Sequence, residues 1–115
     1  MKTQLGHNIT TSGAWAWIRQ LGSGPFVAQT GGATLSSIRV VALPSSGYPV
    51  SVELRASIVT PSPPEVGQFA PVLELADGQG ATIEGEVVLP AGYSLYARAT
   101  GSAINVNVHA VVTTP

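Results

Sequence analysis

The side chains best suited to acid–base chemistry are six carboxylates and two histidines, spread over 115 residues. Glu84 and Glu86 are spaced so that, on one strand, they would share a face about 7 Å apart. Glycosidases place two carboxylates at a comparable separation. Two neighbouring acids on one exposed strand face are more simply a charged surface, which on an edge strand also discourages aggregation. We therefore predict no catalytic carboxylate pair.

The sequence also contains few residues that could bind a metal ion or act as a nucleophile. The chain has no cysteine, and His7 and His109 lie far apart, whereas a zinc site gathers several closely spaced ligands. No serine lies in a nucleophile-elbow motif, and the glycine spacing fits neither a phosphate-binding loop nor a dinucleotide fold. The sequence therefore predicts a non-enzymatic protein with no catalytic residue, no metal site and no cofactor.

An aromatic pair is the most distinctive feature of the N-terminal third. On a strand, Trp15 and Trp17 would point the same way, and Arg19 would join their face. Three interpretations stay open. The two indoles could be core residues, they could be anchors of an assembly interface, in which Trp and Arg are enriched, or they could form a platform on which a glycan stacks.

The overall composition excludes several classes of partner. The five basic residues are scattered and the net charge is −1, so we expect no nucleic-acid contact. No apolar run is long enough to span a membrane, and the N-terminus lacks the apolar region of a signal peptide, so we expect synthesis in the cytoplasm. Charged residues make up 10% of the chain, against about 25% in ordinary domains. Such a surface favours a homo-oligomer whose area is partly covered by neighbours.

No stretch of the sequence repeats apolar residues with the period of a helix, so we expect strands to position these side chains. Residues 50–58 and 103–113 alternate apolar and polar side chains, which is typical of antiparallel strands with one wet face. Weaker strand signals lie between turn-forming residues, and Gly101-Ser102 fits a tight hairpin turn. We predict one all-β domain, a jelly-roll-like β-sandwich of about eight antiparallel strands. The weaker strands are residues 14–21, 25–30, 34–43, 72–75, 81–89 and 93–100.

Two segments fall outside this strand pattern. Residues 1–13 are mostly small and polar, and we interpret them as an N-terminal arm preceding a domain at residues 14–115. The proline-rich residues 60–71 are predicted to leave the sheet, because proline cannot donate to a strand ladder. This segment is either a crossover or a contact arm, and in the latter case Pro63, Pro64 and Phe69 would touch a neighbouring subunit.

The C-terminal third carries a resemblance. Residues 88–100, VLPAGYSLYARAT, precede a second alternating segment. This stretch, residues 86–113, resembles small all-β structural proteins of tailed bacteriophage particles, in which a similar hairpin closes a sandwich. On the strand that follows the turn, Tyr96 and Arg98 would share a face and could be offered to a partner.

The resemblance implies a role in the virion. Such proteins decorate or cement capsids, or form tail and fibre parts, often as trimers. The expectation is therefore a capsid decoration protein on the particle surface, a homotrimer that contacts the major capsid protein or other virion proteins. The alternatives are a tail or fibre component, or a carbohydrate-binding receptor module that uses Trp15 and Trp17.

Overall fold

The computed structural model describes residues 2–21, 24–43, 50–58, 72–76 and 78–115. In these residues two antiparallel sheets pack together and no helix occurs, which confirms the predicted β-sandwich of about eight strands. The described part of the chain thus has no helix with the length and apolar character to traverse a bilayer. The strands are β1 (Lys2–Ser12), β2 (Ala16–Trp17), β3 (Ala33–Ala42), β4 (Val50–Ile58), β5 (Leu73–Leu75), β6 (Gly80–Ile83), β7 (Val87–Leu89) and β8 (Tyr93–Thr113).

The 21-residue strand β8 belongs to both sheets. Its first half, from Tyr93 to Gly101, pairs with β4 on one edge and β2 on the other. Its second half, from Asn105 to Thr113, lies between β1 and β3. The first sheet therefore consists of β2, the first half of β8, β4 and β5. The second sheet consists of β1, the second half of β8, and β3 with β6 and β7 on its far edge.

The predicted hairpin at Gly101-Ser102 is wrong, because the chain does not reverse there. Gly101 still pairs with Val50 as part of β8. Opposite, the β1 register jumps from Thr10 paired with Asn105 to Ser12 paired with Thr100, so β8 contains several extra residues at this point. A bulge of this kind bends a strand and lets it pass from one sheet to another. Gly101 therefore lies at a bend within β8 and not in a hairpin turn.

The predicted N-terminal arm is also wrong for residues 2–12, which form β1. This strand pairs in regular antiparallel register with β8 from Lys2 to Thr10. Leu5 and Ile9 lie in the core, with 0% and 4% of their surface exposed. The two apolar side chains alternate with exposed Gln4 and Asn8, which is the period expected of a half-buried strand.

Other strand predictions need smaller corrections. The strand predicted at residues 81–89 divides into β6 and β7 at Gly85, whose φ is +88°, so Glu84 and Glu86 do not share the face of one strand. Residues 25–30 form no strand beyond a bridge between Pro25 and Arg19. The predicted strand at residues 14–21 shortens to β2. Residues 60–71, with Pro63, Pro64 and Phe69, lie outside the described residues.

The inward faces of both sheets form one apolar core. Branched aliphatic side chains suit the pleated surface of strands, and each contributes about 1.5–3 kcal/mol when fully buried. The largest fully buried members, drawn from β1, β3, β4, β7, β8 and the segment after β2, are Leu5, Ile18, Leu35, Ile38, Leu54, Leu89 and Leu95.

Candidate functional site

The outer face of the first sheet carries an unusual group of large polar and aromatic side chains. Pairing of Trp17 with Tyr96, and of Tyr96 with Arg55, sets these three residues in one row across β2, β8 and β4. Directly opposed residues on neighbouring strands project on the same side of a sheet. The next row holds Arg98 opposite Glu53. We call this group the aromatic–guanidinium cluster: Trp15, Trp17, Glu53, Arg55, Tyr96 and Arg98.

Trp15 lies at the centre of two cation–π contacts. The guanidinium carbon of Arg55 is 4.5 Å from the centre of the Trp15 ring system, and that of Arg98 is 4.8 Å from it. Both distances fall inside the range in which the ring quadrupole attracts a cation. The indole is half-buried, so it ties the two guanidinium groups to the sheet while keeping part of its own surface accessible.

A single carboxylate serves both cations of the cluster. One Glu53 carboxylate oxygen, Oε1, accepts hydrogen bonds from Arg98 Nη2 at 2.9 Å and from Arg98 Nε at 3.2 Å. The other oxygen, Oε2, lies 3.4 Å from Arg55 Nη2. The cluster therefore carries one positive charge in excess.

Arg55 is the more deeply placed of the two cations. Its side chain is 8% exposed, against 31% for Arg98. Its Nε and Nη1 atoms are buried and have no hydrogen-bond partner among the described residues. An unmet buried donor costs about 1–3 kcal/mol, and more on a charged group. Arg55 is thus held in place by packing and charge rather than by a full set of hydrogen bonds.

Trp17 is fixed by polar contacts to the rest of the sandwich. Its Nε1–H donates to the Phe26 carbonyl oxygen at 2.7 Å, and Ser94 Oγ lies 3.0 Å from the same nitrogen. Its ring stacks on Tyr96, with centroids 6.1 Å apart and an angle of 26° between the planes. Buried tryptophans usually find such a partner for their N–H. Trp17 therefore anchors the cluster to the body of the protein.

Four of the residues predicted from sequence as interface anchors meet in this cluster: Trp15, Trp17, Tyr96 and Arg98. Tyr96 is only 3% exposed and stacks with Trp17, so the prediction that it is offered to a partner is wrong. Arg19 does not join them. It is exposed, its carbonyl oxygen accepts a hydrogen bond from Gly6 N–H, and none of the described contacts links its side chain to the cluster. The reason is that the chain leaves β8 after the Ile18 N–H to Leu95 carbonyl bond.

Sequence reasoning missed Glu53 and Arg55. The alternation of residues 50–58 predicts a solvated polar face for both of them and an apolar face for Ile58. The structure instead buries Arg55 and Ser57 and leaves Ile58 46% exposed. Alternation within β4 could place Glu53 and Arg55 on one face, but only the pairing of β4 with β8 shows that aromatic residues cover it.

A cleft of about 290 Å³ opens beside the cluster, between β1 and the segment that leads into β2. Trp15 belongs to both features. Burial lowers the pKa of the His7 imidazole at this cleft, and the positive charge of Arg19 lowers the pKa further. The lining residues are His7, Asn8, Ile9, Thr10, Ala14, Trp15 and Ala16.

Metal-binding groups are not gathered at either feature. The described residues contain no group of three histidine, aspartate or glutamate side chains that could hold a metal ion. The cluster and the cleft instead present aromatic surface, guanidinium groups and hydrogen-bonding groups.

Comparison with protein-family models and with curated proteins finds no match to this chain.

Proposed function

We propose that this protein is a non-enzymatic virion structural protein, most specifically a capsid decoration protein that cements the head of a tailed bacteriophage. It would be made in the host cytoplasm and would bind the outer capsid surface as a homo-oligomer, in keeping with the trimers that the resemblance at residues 86–113 implies. The major capsid protein, or another virion protein at the same position, would be its partner.

The observation that carries this proposal is the convergence of the partly exposed Trp15, Trp17 and Arg98 on one face, with Tyr96 buried among them. Trp, Tyr and Arg are the residues most enriched among those that dominate binding energy at protein interfaces. Here they are held by stacking, cation–π contacts and the Glu53 carboxylate, so little side-chain freedom is lost when a partner binds.

The outer face of the second sheet supports the same interpretation. Along it, Asn107 lies between Asn8 and Val41, and Thr113 lies between Lys2 and Thr34. These side chains are mostly small and neutral. A face of this kind can be covered by a neighbouring subunit without removing many charges from water, which is the main penalty of burying polar surface.

The cementing mechanism differs from the one expected of a flexible arm. Because β1 is part of the sandwich, residues 2–12 cannot reach out to a neighbour without exposing Leu5 and Ile9. The protein would instead act as a rigid body, with one face on the capsid and another on its own copies. Binding would then be set by the area and fit of these two faces.

Two contacts within the cluster argue against a glycan platform built from both tryptophans. The ring of Trp17 is stacked on Tyr96, and the ring of Trp15 lies against two guanidinium groups. A platform needs both flat faces free for sugar rings. The contacts therefore favour protein assembly over the two-tryptophan receptor module.

Co-sedimentation with purified phage heads that lack this protein tests the proposal. We expect the wild type to pellet with heads, and light scattering to show a stable oligomer. Arg98→Ala should weaken head binding by about tenfold or more, as expected for an interface anchor. Gln29→Ala, at an exposed position in the segment before β3 and outside both proposed contact faces, is the control and should bind within about twofold of wild type. Binding to tails instead of heads would move the protein to a tail or fibre position, and binding to neither would overturn the proposal.

A further inference from the structure

The cleft between β1 and β2 is bounded at both ends by backbone hydrogen bonds. At one end Gly6 N–H donates to the Arg19 carbonyl at 2.9 Å, and at the other Gly13 N–H donates to the Ala99 carbonyl at 3.0 Å. A polypeptide strand running through it has no exit. The cleft of about 290 Å³ lies at the lower end of the range for small-molecule pockets, so it suits a ligand of a single ring.

The β1 side of the cleft is an unused hydrogen-bonding edge. Gly6 N–H and the Gln4 carbonyl bond to the segment that follows β2, on the side of β1 away from β8. In a regular strand, the peptide groups of alternate residues point to the same side. Because β1 keeps its register with β8 through Thr10, the peptide groups of Asn8 and Thr10 point into the cleft. Neither has a backbone partner there among the described residues.

The side chains around this edge combine polar and apolar surface. Asn8 and Thr10 are exposed and offer an amide and a hydroxyl, while the half-buried Trp15 and Ala16 offer carbon surface. The lining residues include no carboxylate and no lysine or arginine. Burial and the positive charge of Arg19 lower the pKa of the His7 imidazole below its ordinary value, which favours its neutral form. A cleft of this composition suits a neutral ligand that carries hydroxyl groups on one edge and C–H groups on a face.

We propose that this cleft binds one neutral sugar ring, with hydroxyl groups on the peptide groups and side chains of Asn8 and Thr10 and its C–H face against the part of the Trp15 indole that stays accessible beside the two guanidinium groups. The site adjoins the capsid contact and shares Trp15 with it, but its hydrogen bonds come from Asn8 and Thr10, so either proposal can fail without the other. It uses Trp15 alone of the two tryptophans, and it adds the β1 residues that supply the hydrogen bonds.

Nuclear magnetic resonance on the ¹⁵N-labelled full chain tests the site directly. The probes are the methyl glycosides of glucose, galactose, mannose and N-acetylglucosamine. We expect at least one to produce saturable shifts at the amides of residues 7–10 and at the Trp15 indole N–H, with a Kd of about 1–10 mM. Thr10→Val and Trp15→Leu should each weaken this binding by about tenfold or more. Thr113→Val, an exposed threonine on β8 outside the cleft, should change it by less than about twofold.

The outcomes also distinguish a free sugar from a sugar at the end of a glycan chain. Tighter binding to sugars displayed at the ends of oligosaccharides on an array would identify a terminal glycan residue, and equal binding would identify a free sugar. The proposal is overturned if none of the four glycosides shifts the cleft resonances. It is also overturned if the shifts persist unchanged in Thr10→Val.

Discussion

Arg55 is a buried arginine that contributes little to the stability of the folded protein. Its guanidinium is nearly buried, yet two of its nitrogens lack a hydrogen-bond partner in the described part of the chain. Glu53 bonds chiefly to Arg98 and only weakly to Arg55. Replacing a poorly satisfied buried ion by an apolar side chain is often neutral or stabilising. Arg55 is therefore a residue that the isolated fold does not require.

We expect Arg55→Met to change the free energy of unfolding by less than about 1 kcal/mol, whereas Glu53→Gln should lower it by about 1–2 kcal/mol. The glutamine leaves two guanidinium groups side by side without a counter-charge, while the methionine leaves the Glu53–Arg98 pair intact. Urea unfolding followed by tryptophan fluorescence measures both. A loss of about 2 kcal/mol in Arg55→Met would contradict this view, since it would show that Arg55 is well satisfied.

His7 makes stability depend on pH in a defined direction. Its pKa is lowered from 6.5 in the folded protein, first by burial and then by the charge of Arg19. The unfolded chain therefore takes up a proton more readily than the folded one. Its contribution to stability is complete above about pH 6.5 and is lost as the pH falls through the folded pKa.

Thermal melting at pH 8.0 and pH 5.5 tests this linkage. We expect the wild type to lose more stability between the two pH values than His7→Gln, which has no titrating group at this position. Gln4→Ala changes an exposed residue of the same strand that does not titrate, and it should keep the wild-type loss. Equal losses in wild type and His7→Gln would contradict the linkage.

The sequence predicted part of the cluster because period two is a local property. It is enough to set Trp15 beside Trp17, and Tyr96 beside Arg98, on their own strands. It says nothing about which strands are neighbours. The contact of Trp15 with Arg55 depends on β2 and β4 lying on opposite edges of β8. That arrangement brings together residues 40 positions apart and has no local signature.

Among the elements, β4 and β1 mark the two extremes of predictability. The strand β4 has the predicted bounds, because its alternation is uninterrupted over nine residues. The strand β1 was interpreted as an arm, since its inward face holds only Leu5 and Ile9 among many polar residues. Its strand form depends on pairing with the far end of the chain, as in the contact of Lys2 with Thr113. Local sequence could not reveal that partner.

The corrected role of β1 leads to a prediction opposite to that for an arm. We expect Leu5→Ala to lower the free energy of unfolding by about 2–5 kcal/mol, because it removes a fully buried side chain. Gln4→Ala, an exposed neighbour on the same strand, should change it by less than about 0.5 kcal/mol. Deleting residues 2–12 should abolish cooperative melting in circular dichroism. A deletion variant that melts like the wild type would restore the arm interpretation.

At the scale of the whole molecule, β8 joins the two sheets into one cooperative unit. Its first half is central in the first sheet and its second half is central in the second. Neither sheet can lose its middle strand without exposing the shared core. The pairing of β8 with β1 also spans nearly the entire chain, and such non-local contacts slow folding to milliseconds or seconds. A rigid single body is what a cementing protein needs if it is to hold two contact faces in a fixed relation.

This coupling can be tested with probes that see different parts of the molecule. Trp15 and Trp17 both lie at the first sheet, so tryptophan fluorescence reports on that sheet, while far-ultraviolet circular dichroism reports on all strands. Val108→Ala removes buried side-chain volume from the second sheet and should cost about 2 kcal/mol. Because β8 is shared, we expect the fluorescence midpoint in urea to fall by the same amount as the circular dichroism midpoint, in a single transition.

Val88→Ala is the control. Val88 is 72% exposed on β7, so this change should shift neither the fluorescence midpoint nor the circular dichroism midpoint. A fluorescence midpoint that stays at the wild-type value in Val108→Ala would show that the sheets unfold separately, and the rigid-body mechanism of capsid cementing would fail with it.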